Sequence, residues 1–126
     1  KYLITPEQEF VEAHSFLAIV ENKEIPSLKS LKVSEESYIL GLLDCIGELK
    51  RFVLDNIRND QLKKADRIFN VMENLYQALY PFAMYDKIVK ETRRKLDVNR
   101  ILVEETRAVI TEEIRRNHFV KALTKK

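Results

Sequence analysis

Two pairs of carboxylates carry spacings that place each pair on one face of a helix: Glu9 and Glu12 in "QEFVEAHSF", and Asp44 and Glu48 in "GLLDCIGELKR". At about 100° per residue, Glu9 and Glu12 fall inside the apolar arc of Phe10, Ala13, Phe16, Leu17, Ile19 and Val20, whereas Glu7 and Asn22 point away from it. Taking carboxylates into a bundle interior is costly unless a cation or hydrogen-bond donors compensate. In the second segment Ser37, Gly41, Asp44, Gly47, Glu48, Arg51 and Asp55 share a narrow stripe, with Leu42, Leu43, Ile46, Leu49 and Val53 on the opposite side. If the two acidic faces pack together, four carboxylates converge and repel, and the remedies are protonation or a divalent cation. Only oxygen ligands are offered, which favours Mg²⁺ or Mn²⁺ over zinc. Such an ion activates water and neutralises charge developing on a phosphate. The competing reading is a plain charged helix surface, because helices of this composition generate E-x-x-E and D-x-x-x-E pairs freely.

Gly41 and Gly47 are the only glycines in the chain. Inside a helix each costs roughly 0.5–1 kcal/mol relative to alanine. Their place beside Asp44 and Glu48 gives them a purpose: to clear side-chain bulk for a phosphate, a hydrated metal ion or a closely packed helix.

The remaining reactive residue types offer less. Cys45 is the only cysteine; in its apolar helical setting it reads as a buried structural thiol, which suits a reducing, cytoplasmic location. Neither His14 nor His118 follows a glutamate by three positions, so a ferritin-like di-iron site is excluded and both histidines read as structural or solvated. No P-loop, G-x-S-x-G, C-x-x-C or Cys/His nucleophile arrangement occurs. Basic residues that would meet nucleic-acid phosphates include Arg51, on the acidic stripe one turn beyond Glu48, and the run Arg93, Arg94, Lys95. Arg51 equally suits an ion pair with Glu48 or Asp55, and the basic run equally suits a solvated helix face. Tyr76, Tyr80, Phe82 and Tyr85 cluster where they would stack on bases or, as the simpler reading, plug a bundle end or an interface between subunits.

The elements that must position these groups are all helical. Thr5-Pro6-Glu7-Gln8 carries an N-cap, a proline at the first helical position and a capping-box glutamine, which predicts a helix from about Pro6 to Glu21. Asn22 to Val33 reads as a loop, and Ser34 caps a second helix reaching about Ile57. Asp60 is expected to cap a third, with Leu62, Ala65, Phe69, Met72, Tyr76 and Leu79 as its apolar stripe and Pro81 as its end. A fourth runs from about Asp86 to Arg116. Its two seams, Leu96, Val103, Ile110 and Ile114 on one side and Val98, Leu102 and Val109 on another, imply more than one neighbour and favour an oligomer. The tail "HFVKALTKK" reads as a helical extension or a frayed end. The sum is one all-α domain over residues 1–126, an antiparallel bundle of long helices. A formal charge of +2 demands neither a nucleic acid nor a membrane, and no apolar run approaches the ~18 residues of a membrane span.

"QEFVEAHSF" (Gln8 to Phe16) and "YILGLLDCIGELKR" (Tyr38 to Arg51) resemble, in order, the two signature segments of the translin superfamily, specifically translin-associated factor X and its archaeal relatives. The resemblance extends more weakly through the third and fourth helices. It implies an all-α bundle assembling into a hollow octamer. On the factor X branch it implies a metal-dependent endoribonuclease acting on single-stranded RNA, whereas translin proper binds nucleic acid and lacks the full acidic set. The family's four catalytic acids fall on Glu9, Glu12, Asp44 and Glu48, which by resemblance would hold Mg²⁺ or Mn²⁺ and orient a hydrolytic water, leaving a 5′-phosphate product. The family's basic N-terminal helical region and the Arg-Gly pair of its eukaryotic C-terminal helix have no counterpart in these residues, so a piece of a longer chain is the expectation. Two alternatives stay open: a non-catalytic single-stranded RNA or DNA binder, and an all-α nucleoside-triphosphate pyrophosphohydrolase, whose second acidic pair is typically E-x-x-D rather than D-x-x-x-E.

Overall fold

The computed structural model describes residues 5–84 and 90–125, the side chains of 83, 84 and 90 excepted. Its elements are α1 (Pro6–Val20), a one-turn α2 (Leu28–Leu31), α3 (Glu35–Arg58), α4 (Leu62–Leu79), a 3-10 turn (Tyr80–Met84) and α5 (Lys90–Thr124). α3 is the axis of the fold, with α1, α4 and α5 all packing on it.

Local chemistry sets the starts. Thr5 Oγ1 accepts from the Gln8 N–H at 3.1 Å while Gln8 Oε1 accepts from the Thr5 N–H at 3.3 Å, a complete capping box. Ser34 caps α3 by accepting from the Ser37 N–H at 3.1 Å. The Ser34 N–H in turn donates to Glu7 Oε1 at 3.2 Å, fastening the start of α1 to the start of α3. That backbone donor, together with the Ser37 and Ser34 side chains, holds the exposed Glu7 carboxyl below its usual range. The far end of α1 has no basic residue of its own in its last turn. Arg67 of α4 supplies one, donating to the Ile19 and Val20 carbonyls at 3.2 and 3.3 Å, where a cation offsets the helix dipole.

Three boundaries differ from the sequence expectation. The loop after α1 contains the short α2, capped by Ser27 and closed by Lys32 in the left-handed region at φ 56°. Asp60 does not cap α4. It takes φ 62° in the α3–α4 turn, where Gln61 N–H reaches the Asn56 carbonyl at 2.7 Å, and Gln61 becomes an N-cap without a side-chain bond. The tail is helical through Thr124. Asp86, the expected start of the last helix, and Tyr85 lie outside the described residues.

The core joins Val11 and Ile19 of α1 to Leu42, Leu43, Ile46, Leu49 and Val53 of α3, to Ala65, Ile68, Phe69, Met72 and Leu79 of α4, and to Leu96, Val103 and Ile110 of α5. The apolar arc expected for α1 is displaced. Gln8, Val11, Ser15, Ala18 and Ile19 are buried, while Phe10 and Leu17 are 43% and 54% exposed. The reason is steric at the Gly41 crossing, where α1 comes close enough to α3 that Val11 is the side chain between them, while further along α1 Phe16 packs its ring edge-on against Phe52 of α3. On α5 the inward seam alternates Thr92, Leu96, Asn99, Val103, Thr106 and Ile110, all buried. Asn99 Nδ2 donates to the Leu43 carbonyl of α3 at 2.8 Å, which satisfies the amide inside the core. The second seam is open: Val98 and Val109 are exposed and Leu102 is half-buried. At 1.5 Å per residue α5 extends about 50 Å against about 36 Å for α3, so its last turns outrun their supports and leave Phe119, Val120 and Leu123 in solvent.

Candidate functional site

Gly41 sets the α1–α3 contact. A Cβ built there would stand 2.6 Å from Val11 Cβ and 2.8 Å from the Gln8 carbonyl oxygen, so only glycine permits this approach. The approach brings the acid pairs within each other's field. Glu9 is exposed, and Glu12, Asp44 and Glu48 are half-buried. The Glu12 carboxyl is pushed above its usual range, first by burial and then by the charges of Asp44, Glu48 and Glu9, with Lys95 pulling the other way.

Lys95 of α5 enters this site. Its Nζ donates to Asp44 Oδ1 at 2.5 Å and lies 3.6 Å from Glu91 Oε2. Glu91 is buried and is gripped by a fork from Arg94, whose Nη2 reaches Oε2 at 2.9 Å and whose Nε reaches Oε1 at 3.2 Å. The second oxygen of Asp44, Oδ2, is buried and has no hydrogen-bond partner among the described residues. Neither Lys95 as an inward group nor Glu91 is legible when the basic triplet is taken as a unit. At about 100° per residue Arg93, Arg94 and Lys95 must face three directions, and Lys95 lies four residues before the seam residue Asn99. The signal was therefore in the spacing.

Gly47 plays a different part from Gly41, since a Cβ there meets nothing within 4 Å. It forms one wall of a cavity of about 240 Å³ between α3 and α5, lined also by Asp44, Lys95, Asn99, Val98 and Leu102. With no packing reason for glycine, Gly47→Ala is expected to stabilise the fold by about 0.5–1 kcal/mol, as an increase in the urea midpoint. Arg51 is exposed and makes no ion pair among the described residues. His14 is exposed beside Phe10, with ring centroids 4.2 Å apart, and His118 is exposed near the end of α5. Tyr76 is half-buried and its ring lies 6.1 Å from that of the exposed Tyr80.

Cys45 sits directly behind the acids, fully buried. Burial, followed by the charges of Glu12, Glu48 and Asp44, pushes its thiol up to about 12. A thiol held neutral and inaccessible is a poor nucleophile. Native protein is expected to resist alkylation at neutral pH and to react once unfolded in urea, which mass spectrometry of the intact chain reads directly.

The donor chemistry suits a hard divalent cation: every candidate ligand is a carboxylate, and Asp44 Oδ2 is buried with no hydrogen-bond partner among the described residues. Among the described residues no three His, Cys, Asp or Glu side chains stand close enough to grip one ion as placed. Closing around one requires side-chain rotation at Glu9, Glu12 and Glu48, all of which retain solvent-facing freedom.

An all-α bundle with acidic pairs opposed across a glycine-mediated helix contact is the class that this fold and site define. The chain belongs to the translin family, whose model matches residues 2–110. It is 49% identical over 106 residues to an uncharacterized protein of Methanocaldococcus jannaschii, a match covering 83% of this chain and 47% of that protein. Among solved structures it is similar to AfC3PO, alone and in complex with duplex RNA. The TM-score is 0.77 in both cases, at 32% and 31% identity, covering 87% of this chain and 58% of the other. The chain thus spans about half the length of the relatives it matches. Among the described residues no helix is long and apolar enough to cross a membrane.

Proposed function

We propose that the chain is a subunit of a divalent-metal-dependent endoribonuclease of the translin-associated factor X kind, cutting single-stranded RNA and leaving a 5′-phosphate. The observation that carries this reading is the close α1–α3 contact at Gly41, which puts Glu9 and Glu12 in the field of Asp44 and Glu48 in a translin-family chain. Glu9, Glu12, Asp44 and Glu48 would hold Mg²⁺ or Mn²⁺. When bound, the cation supplies a more acidic water and charge neutralisation at the phosphate. One of the four carboxylates would take the proton of the attacking water. Arg51 is exposed on α3 and suits phosphate contacts, and Arg93 and Arg94 lie on the exposed side of α5, Arg94 with its guanidinium on Glu91. Lys95, grouped with them by sequence, turns inward to Asp44 and Glu91 and serves the acids.

The open apolar seam at Val98, Ile101 and Val109 supports assembly with further copies, and the resemblance suggests an octamer. A second reading draws on the Lys95–Asp44 pair: an ammonium already neutralising one acid also suits a non-catalytic RNA binder.

The deciding experiment incubates end-labelled single-stranded and duplex RNA with Mg²⁺ or Mn²⁺, with EDTA and Glu48→Ala as controls. Metal-dependent cutting of the single strand, lost in both controls, is expected. Binding without cutting overturns the nuclease reading in favour of a binder, and nucleotide hydrolysis without RNA cleavage would favour a pyrophosphohydrolase.

A further inference from the structure

We propose that Lys95 is a positioning residue of the acidic site, fixing Asp44 so that one carboxylate oxygen is held and the other is offered to the divalent cation; this rests on the metal-dependent reading above. A lysine loses considerable rotamer freedom when immobilised and normally extends into water. Here its side chain is only 17% exposed and is pinned from two sides, by Asp44 Oδ1 across the helix interface and by Glu91 Oε2 one turn back on its own helix. Glu91 is itself immobilised by the Arg94 fork. The result is a chain of charge pairs running from the surface of α5 to a single carboxylate on α3.

What the chain achieves is legible at Asp44. Oδ1 carries the ammonium, whereas Oδ2 is buried with no donor among the described residues, a costly state for a carboxylate oxygen. Carboxylates that bind metals are characteristically held by an outer partner in this way. An ammonium has no lone pair, so Lys95 acts only through Asp44. It does not exclude a dication by charge, because one ammonium among four carboxylates leaves the site strongly anionic.

The test measures Mn²⁺ affinity of the whole chain by electron paramagnetic resonance, without RNA, for wild type, Lys95→Met, Lys95→Arg and Glu91→Gln. Lys95→Met keeps the apolar stem and removes the charge; it is expected to weaken Mn²⁺ binding by about 10–100-fold, with Lys95→Arg recovering most of the loss. Affinity in Lys95→Met equal to or tighter than wild type overturns the proposal, tighter binding identifying Lys95 as a competitor of the cation. Should Lys95→Met fail to fold, Glu91→Gln removes one anchor and leaves the ammonium in place. It must still weaken binding, and unchanged affinity there overturns the proposal equally. Absence of Mn²⁺ binding to the wild type overturns the metal-dependent reading itself, an outcome distinct from a wild type that binds and a variant that binds alike.

Discussion

Replacing Glu12 with glutamine is expected to make the fold more stable and, on the proposed nuclease reading, to abolish RNA cleavage. Loss of cleavage should be on the order of 100-fold or more, the cost of removing one preorganised charge from an active site. The gain in stability follows from the sign of the Glu12 shift. Its folded pKa lies above its unfolded value near 4.5, because burial and the charges of Asp44, Glu48 and Glu9 all oppose ionisation. The folded chain therefore binds this proton more tightly than the unfolded chain. The resulting penalty is absent below the unfolded pKa, sets in as pH rises through the window up to the folded pKa, and is complete above it. Glutamine carries no charge and no such penalty. At pH 7 the variant should melt a few degrees above wild type, as substitutions that relieve functional strain commonly do. The gap should close as pH falls below about 4.5, where wild type is protonated as well. Mg²⁺ should narrow it from the other side by stabilising wild type more than the variant. Differential scanning calorimetry across pH, with and without Mg²⁺, reads all three. A variant that melts no higher than wild type at neutral pH would mean that Glu12 in solution is neither buried nor in the field of the other three acids.

The bundle was legible because its signals are local: the Thr5 and Ser34 caps, the 3–4 spacing of Ala65, Phe69, Met72 and Leu79, and the proline at 81 each act within a turn or two. The Asp44–Glu48 stripe of α3 was legible as a face for the same reason, whereas Glu9, placed inside an apolar arc by the same construction, is exposed. Less legible was everything decided by a neighbour distant in sequence. Hydrophobicity alone makes Phe10 and Leu17 core residues, yet both are exposed, because the close approach at Gly41 turns the Val11 and Ser15 face of α1 toward α3. Gly41 and Gly47 look equivalent on one helix. One is overlain by α1 and the other by open space, a distinction only the tertiary arrangement creates. Lys95 belongs to both lessons: its helical phase marked it as inward, but its partner Asp44 is 51 residues away.

The largest stability effect is expected at Gly41. An alanine there gains about 1 kcal/mol of helix propensity over glycine. Against that, its Cβ would lie 2.6 Å from Val11 Cβ, 2.8 Å from Val11 Cγ1 and 2.8 Å from the Gln8 carbonyl oxygen. The last of these is backbone and has no rotamer to escape into, so α1 must retreat as a body. Overpacking of this kind costs roughly 1–3 kcal/mol, enough to outweigh the propensity gain, and a leucine in the same place should detach α1 from α3. Because Glu9 and Glu12 ride on α1 while Asp44 and Glu48 stay on α3, displacement separates the acid pairs, and cleavage should fall together with stability. Urea denaturation should give opposite shifts for the two glycines, downward for Gly41→Ala and upward for Gly47→Ala. Hydrogen exchange should localise the Gly41→Ala effect to α1 amides while the α3–α4 core, sealed by Ile46, Leu49, Ile68 and Met72, keeps its protection. A Gly41→Ala protein as stable as wild type would show that α1 and α3 stand further apart in solution, and the acidic site would lose the contact that assembles it.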